Sequence, residues 1–210
     1  SARAQEPACS RCIVVYGDTR SDHAIHRKVV GRISALKPPI VFHTGDMVDH
    51  GNSAEEWQHF AEITSGLRRS AKFYPVHGNH EGHAPLYYKF FKLSPPETWY
   101  SVDLRGIHFV VLDSEFPLEK STPQGKWLED DLVDNIAGAE TRYTVVLLHR
   151  PVYGTGHHAP KDSFFLAPIL TPVFKKYGVN AVFSGHDHLY ERSQVEGIYY
   201  VITGGGGDGY

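Results

Sequence analysis

Sulfur is scarce in this chain. Its 210 residues include one methionine and two cysteines, and the cysteines sit together as Cys9-Ser10-Arg11-Cys12. A structural zinc site normally takes four ligands, and no second cysteine pair exists to complete one. A redox pair would follow a strand and open a helix, whereas this pair precedes the first apolar run. A local disulfide or two spare thiols are the readings left. Long apolar runs are lacking too: no stretch approaches the roughly 20 consecutive residues of a membrane helix. There is no run of lysine or arginine, and the formal net charge is −3. A nucleic-acid partner is therefore not expected. With 41% hydrophobic and 21% charged residues, the composition excludes disordered, collagen-like and coiled-coil chains.

Histidine is what the chain has in excess, with 14 residues. It is the commonest metal ligand and the usual acid/base group, so composition alone points to metal binding or proton transfer. The length fits one domain over residues 1–210, with 1–11 as an N-terminal extension. Ala2-Arg3-Ala4 resembles a secretory cleavage site but has no apolar segment before it, which leaves export open. The glycine run Gly204–Gly207 reads as a flexible loop cut short from a longer parent chain. Nothing in the sequence speaks to oligomeric state.

Short apolar runs alternate with helical periodicity. Ile13–Tyr16, Ile40–His43, Phe73–Val76, Thr144–Leu148, Ala181–Phe183 and Tyr199–Ile202 read as buried strands. Ile25, Val29, Ile33 and Leu36 recur at helical spacing over 22–36. Ser53 and Glu56 form a capping box before Trp57, Phe60 and Leu67. Residues 99–104 and 107–112 alternate around Arg105-Gly106 as a hairpin. A helix is expected over 125–137 with Leu128, Leu132 and Ile136 inward. Another is expected over 168–177, stopped by Gly178. Tyr87, Tyr88, Phe90 and Phe91 read as packing rather than a stacking platform, since no basic groove accompanies them. The pattern is that of an α/β layered fold.

The runs share a feature at their ends. They stop at Gly17-Asp18, Thr44-Gly45-Asp46, Gly78-Asn79-His80-Glu81, His149-Arg150-Pro151 and Gly185-His186-Asp187-His188. One Gly-Asp after a strand is usually only a turn. Five ends that each carry a metal-type ligand are a different matter, because binding crevices of α/β sheets lie beyond the carboxyl ends of the strands. Carboxylate, amide oxygen and imidazole together suit borderline ions such as Zn, Mn, Fe or Co.

These motifs resemble the calcineurin-like metallophosphoesterases, on the purple acid phosphatase side. The resemblance runs from Asp18 to the glycine run: GDTR at 17–20, GDMVD at 45–49, GNHE at 78–81, VLLHRP at 146–151 and GHDHLYER at 185–192. The stretches WYSVDLRGIHFVVLDSE and PQGKWLEDDL between them look like that group as well. The resemblance implies a four-layer α-β-β-α sandwich of two mixed sheets. It implies two divalent or mixed-valence transition-metal ions (Fe, Mn or Zn), a water activated for in-line attack, and a small phosphorylated substrate, with monoesters favoured. Asp46 would bridge the ions. Asp18 and His188 would complete one site, and Asn79, His149 and His186 the other. His80, His157 and His158 are then the candidates to protonate the leaving group. Arg20 and Arg150 are the candidates to assist the phosphate. Glu81 either orients His80 or caps a helix. Of the other histidines, His50, His77 and His83 flank motifs.

Two positions depart from the pattern. The superfamily usually has a histidine where Arg20 stands, and purple acid phosphatases have a tyrosine where Asp49 stands. No tyrosinate-to-iron colour is therefore expected. Asp49, His50 and water are the alternatives for the remaining metal ligand, with Asp49 equally readable as a turn residue. Arg20 is better suited to an oxyanion or a neighbouring carboxylate than to a metal, since guanidinium is a fork of donors. These departures also raise an alternative class: a catalytically weak relative that binds metal or phosphate. Within the superfamily the alternatives are a phosphodiesterase or a nucleotidase.

Overall fold

Three apolar runs pair in parallel as β1 (Ile13–Tyr16), β2 (Ile40–His43) and β3 (Lys72–Pro75), with β2 in the middle. The structure, a computed structural model, describes residues 9–93, 98–138 and 140–207. The second sheet is built from β4 (Tyr100–Leu104), β5 (Ile107–Val111), β6 (Tyr143–Leu147), β7 (Ala181–Ser184), β8 (Tyr190–Val195) and β9 (Ile198–Thr203), in the order β4-β5-β6-β7-β9-β8. Its four inner strands run parallel, and β4 and β8 close the edges antiparallel.

Side-chain alternation along each strand dictates the layering. In β2, Ile40 and Phe42 point at the second sheet, where Phe109, Val111 and Leu147 meet them. Phe42 and Phe109 lie 4.7 Å apart between ring centroids. Val41 points the other way, onto Val30 and Ile33 of α1 (His23–Leu36) and Ile63 and Leu67 of α2 (Ala54–Ser70). On the far face of the second sheet, Val110, Val146 and Val182 are covered by two helices. Leu128 and Leu132 come from α4 (Pro123–Gly138), and Leu166, Leu170 and Phe174 from α5 (Ala159–Lys176). The expected four-layer α-β-β-α sandwich follows, with the smaller sheet parallel throughout its described strands. Phe42 is fully buried between the sheets; truncation to alanine there costs about 3–5 kcal/mol.

Several elements differ from expectation for identifiable reasons. Helix α5 begins nine residues before residue 168, because Pro168 and Pro172 lie inside it rather than at its start. Its inward face is continuous through both prolines. Ile136 of α4 is 56% exposed, since two steps of four residues carry a side chain about 80° off the stripe set by Leu128. Strand β8 carries no apolar run, because its alternation is polar and charged. It pairs with β9 through Glu196-Gly197, both at positive φ. Helix α3 (Pro85–Phe91) seats Tyr87 and Tyr88 against Trp57, Phe60 and Met47, the packing role expected of those aromatics. Asp22 caps α1 by accepting from Ala24 N and Ile25 N at 2.9 Å. Only half of the capping box forms at α2: Glu56 N donates to Ser53 Oγ at 3.3 Å, while the Glu56 carboxylate turns to Asp49 N and His50 N.

The glycine run is not loose. Gly204 N donates to Leu189 O, Gly206 N to Gly17 O, and Gly207 O accepts from Asp22 N. A Cβ on Gly204 would stand 2.2 Å from Asp187 O and one on Gly206 2.1 Å from Gly17 O, so these two positions are glycine because backbone lies against backbone, whereas Gly205 faces open space. Cys9 and Cys12 form a disulfide, and Cys9 N donates to Leu36 O at the end of α1. Among the described residues, no helix is long and apolar enough to cross a membrane.

Candidate metal centre

Parallel pairing puts the carboxyl ends of β1, β2, β3, β6 and β7 at one edge of the sandwich. The motif residues just beyond them therefore meet. Asp18 Oδ1 accepts from His186 N at 2.8 Å, across 168 residues of sequence. His149 Nδ1 donates to Thr44 O at 2.8 Å. That bond fixes the ring so that Nε2 faces the centre.

Four donor atoms converge there. His149 Nε2 lies 2.9 Å from Asn79 Oδ1, 3.2 Å from His186 Nδ1 and 3.4 Å from Asp46 Oδ1. Donors about 2.1 Å from a tetrahedral ion stand roughly 3.4 Å apart, and the three separations from His149 Nε2 are close to that spacing; the Asp46, His149 and His186 atoms all lie within 4.8 Å of one another. A second set lies alongside: Asp18, the other oxygen of Asp46, and His188, whose Nε2 is 4.0 Å from Asp18 Oδ1. Six of the seven residues expected as ligands are thus brought together.

Electrostatics match the grouping. Burial alone would lower the His149 pKa, but the charge of Asp46 and its hydrogen bond, the charge of Asp18 and the hydrogen bond to Thr44 O raise it to about 10. The setting stabilises a cation at Nε2. Burial, then His149, Arg150 and His158, push His186 down to about 2, so its lone pair is available. Burial favours protonation of Asp46, yet His149 and His80 hold its carboxyl well below the usual range.

Carboxylates around the centre hold its loops. Fully buried Glu81 accepts from Asp46 N at 3.0 Å, Met47 N at 2.7 Å and Gly78 N at 2.8 Å. It therefore ties the second and third motifs together rather than orienting His80 or capping a helix. Gly78 is glycine because a Cβ would fall 2.4 Å from Asp46 Oδ1. Asp187 accepts from His158 N and Ala159 N, and so pins the His157-His158 loop to the fifth motif. Asp162 Oδ2 lies 3.5 Å from His186 Nε2, on the side of the ring opposite the donor cluster. None of these three supporting roles is visible in the sequence.

Neither arginine points freely at the crevice. Arg150 makes a two-pronged bond to Glu115 at 2.6 and 3.0 Å and reaches Asp162 at 3.3 Å. Arg20 Nη1 donates to Asp49 Oδ1, and its Nε lies 3.8 Å from Asp46 Oδ2. The two departures from the family pattern thus contact each other. Asp49 faces Arg20 and His80, with Oδ1 3.3 Å from His80 Nδ1.

His80 Nδ1 donates to Asp49 O at 3.0 Å, which turns Nε2 toward Asp46 Oδ2 at 3.9 Å. His158 lies over His186 with ring centroids 4.4 Å apart, and His157 sits 4.8 Å from His158. Both line a cavity of about 340 Å³ with His186, His188 and Leu189. His50 is exposed against Glu56. His77, His83 and Asp113 form another close trio. Its chemistry is not that of a ligand set: His83 N donates to His77 Nε2 at 3.1 Å, so the ring proton sits on Nδ1, 3.4 Å from Asp113.

The model of the calcineurin-like phosphoesterase family matches residues 13–190. The chain belongs to that family. A purple acid phosphatase of Glycine max is 33% identical over 171 residues, covering 72% of this chain and 35% of that protein. The Fe(3+)-Zn(2+) purple acid phosphatase 12 of Arabidopsis thaliana is 36% identical over 108 residues, 51% of this chain and 23% of its own length. The structure of the purple acid phosphatase PPD1 from yellow lupin superposes with a TM-score of 0.77 at 20% identity, over 96% of this chain and 45% of that one. The chain therefore spans less than half the length of these phosphatases. The family uses transition-metal ions, and the chain presents donor groups of the right kind to hold them.

Proposed function

We propose that this chain is a two-metal phosphoesterase that hydrolyses small phosphate monoesters. The convergence of Asp46, Asn79, His149 and His186 on one point, beside Asp18 and His188, carries the reading. In it, Asp18 and His188 would hold one ion, Asn79, His149 and His186 would hold the other, and Asp46 would serve both. Bound there, Fe, Mn or Zn would supply Lewis acidity to the phosphate oxygens and lower the pKa of a water. His80 is anchored through Nδ1, so Nε2 is left to hand a proton to the leaving alkoxide, a role that contributes about 10²–10⁴-fold in rate. His157 and His158 wall the cavity that takes the ester group. Arg150 braces the His186 side through Glu115 and Asp162.

The test is hydrolysis of an aryl phosphate monoester and the matching diester, after reconstitution with Mn, Zn or Fe, with Asp46→Asn as control. Metal-dependent turnover that favours the monoester and disappears in the control is expected. A preference for the diester would move the reading to the phosphodiesterase alternative. Ions bound without turnover of either ester would make the chain a binding relative, the reading that the Arg20–Asp49 contact favours.

A further inference from the structure

The two sets of donors differ in their surroundings. Around His149, the atoms Nε2, Asn79 Oδ1, His186 Nδ1 and Asp46 Oδ1 face one another; the guanidinium on this side, Arg150, approaches His186 only at the outward Nε2, 3.2 Å away, and is itself bound to the carboxylates of Glu115 and Asp162. On the opposite side of Asp46, oxygen Oδ2 faces a fixed cation, the Arg20 guanidinium at 3.8 Å. Guanidinium has five donors and no lone pair, so it cannot bind a metal ion and repels one. Its partner Asp49 has a lone pair to give, yet that carboxylate is turned to Arg20 and its backbone is anchored by Glu56 through Asp49 N at 2.6 Å. The pair is only partly exposed, 19% for the Arg20 side chain and 41% for Asp49.

We propose that the Arg20–Asp49 ion pair is an affinity regulator for the metal position formed by Asp18, Asp46 and His188, and keeps it the weaker of the two. The inference rests on the two-metal reading above. Arg20 acts in two ways: it places positive charge beside Asp46 Oδ2, and it holds a spare carboxylate away from the ion. Asp49 acts in the opposite sense, because it neutralises much of the guanidinium charge. The two partners of one ion pair therefore have opposite effects on metal binding. A contact that served only to stabilise the fold would give the same sign for both.

The experiment is Mn2+ binding to chelator-stripped protein, by equilibrium dialysis with metal analysis and by electron paramagnetic resonance of bound Mn2+. The wild type is expected to take up two ions in two phases, and Asn79→Ala to lose the tight one. Arg20→Gln should tighten the weak phase about tenfold or more, and Asp49→Asn should loosen it about tenfold, the scale of one partly screened charge at this range. Arg20→Lys keeps the charge and should stay near the wild type. Two wild-type ions of equal affinity, or variants Arg20→Gln and Asp49→Asn that shift binding in the same direction or not at all, overturn the inference and leave the two-metal reading intact. A wild type that binds no Mn2+, or an Asn79→Ala variant with an unchanged tight phase, overturns that reading and the inference with it. Thermal melting of each variant separates lost folding from altered affinity.

Discussion

Replacing Glu81 by glutamine changes one oxygen to an amide nitrogen at a site with no room for water. The side chain is fully buried and accepts three backbone N–H groups, from Asp46, Met47 and Gly78, at 2.7–3.0 Å, with Val48 N a fourth and longer contact at 3.4 Å. In the variant, the best arrangement puts the amide oxygen where Oε2 stands, still serving Asp46 and Gly78. The amide nitrogen then faces Met47 N, donor against donor. One buried donor left unsatisfied costs about 1–3 kcal/mol, and the two surviving bonds lose their charge assistance. A total of roughly 2–4 kcal/mol follows, or about 5–15 °C in Tm for a chain of this size. Burial and the Asp46 charge push the Glu81 carboxyl up, against the pull of His77 and the amides. Some of the penalty is thereby relieved, so the lower half of that range is expected. Calorimetry of apo and Mn2+-loaded protein is the assay. Because the three amides belong to the loops that carry Asp46 and Asn79, Mn2+ affinity should fall together with Tm. A Glu81→Gln protein with unchanged Tm and unchanged metal affinity would refute the reasoning.

Other perturbations test separate parts. Asp162→Leu removes the carboxylate beside His186 Nε2 and should weaken metal binding about 10–100-fold, the usual range for such orienting partners, as read by dialysis. His108, remote from the metal centre, donates to Asp103 at 2.6 Å and Asp131 at 2.8 Å. Burial alone would lower its pKa, but those carboxylates raise it above the ordinary value. Its stabilisation is therefore full below about pH 6.5 and fades as pH rises through the raised value. The Tm advantage of wild type over His108→Gln should shrink between pH 6 and 9, and a constant advantage would contradict this. The Cys9–Cys12 bridge closes a very short loop, so reduction should cost about 2 kcal/mol at most and spare activity, as checked by melting and assay under thiol.

What was legible in the sequence is what apolar runs and their polar stops encode. Each of the five motif-bearing ends follows a strand of the structure, because a buried run must end where the chain reaches the edge of its sheet. The candidate donors could be read for the same reason: they are the first polar residues past that edge. What supports them could not be read. Glu81 bonds to residues 34 and 35 positions away, and Asp187 to residues 28 and 29 away. Such pairings leave no local periodicity. Helix α5 extends nine residues ahead of the expected start at residue 168, and both Pro168 and Pro172 lie inside it. Its buried face, Leu166, Leu170 and Phe174, holds it in place.

The backbone explains why donors and supports cannot be separated. Asp18, Asp46 and His186 all adopt left-handed conformations, with φ of 58°, 56° and 67°. Such a conformation costs a non-glycine residue roughly 1–2 kcal/mol. In each case the N–H of the turned residue is held by another member of the site. Asp18 N goes to Gly45 O, Asp46 N to Glu81 Oε2, and His186 N to Asp18 Oδ1. Each donor is aimed by its backbone turn, and each turn is held by a neighbouring motif. The Asp18 carboxylate consequently has two jobs: one oxygen steadies His186, which belongs to the other donor set, while the group as a whole serves its own. Truncation at Asp18 must then disturb both metal positions, even though only one of them loses a ligand. Asp18→Asn keeps an oxygen for His186 N and should weaken one position selectively. Asp18→Ala removes that acceptor and should weaken both.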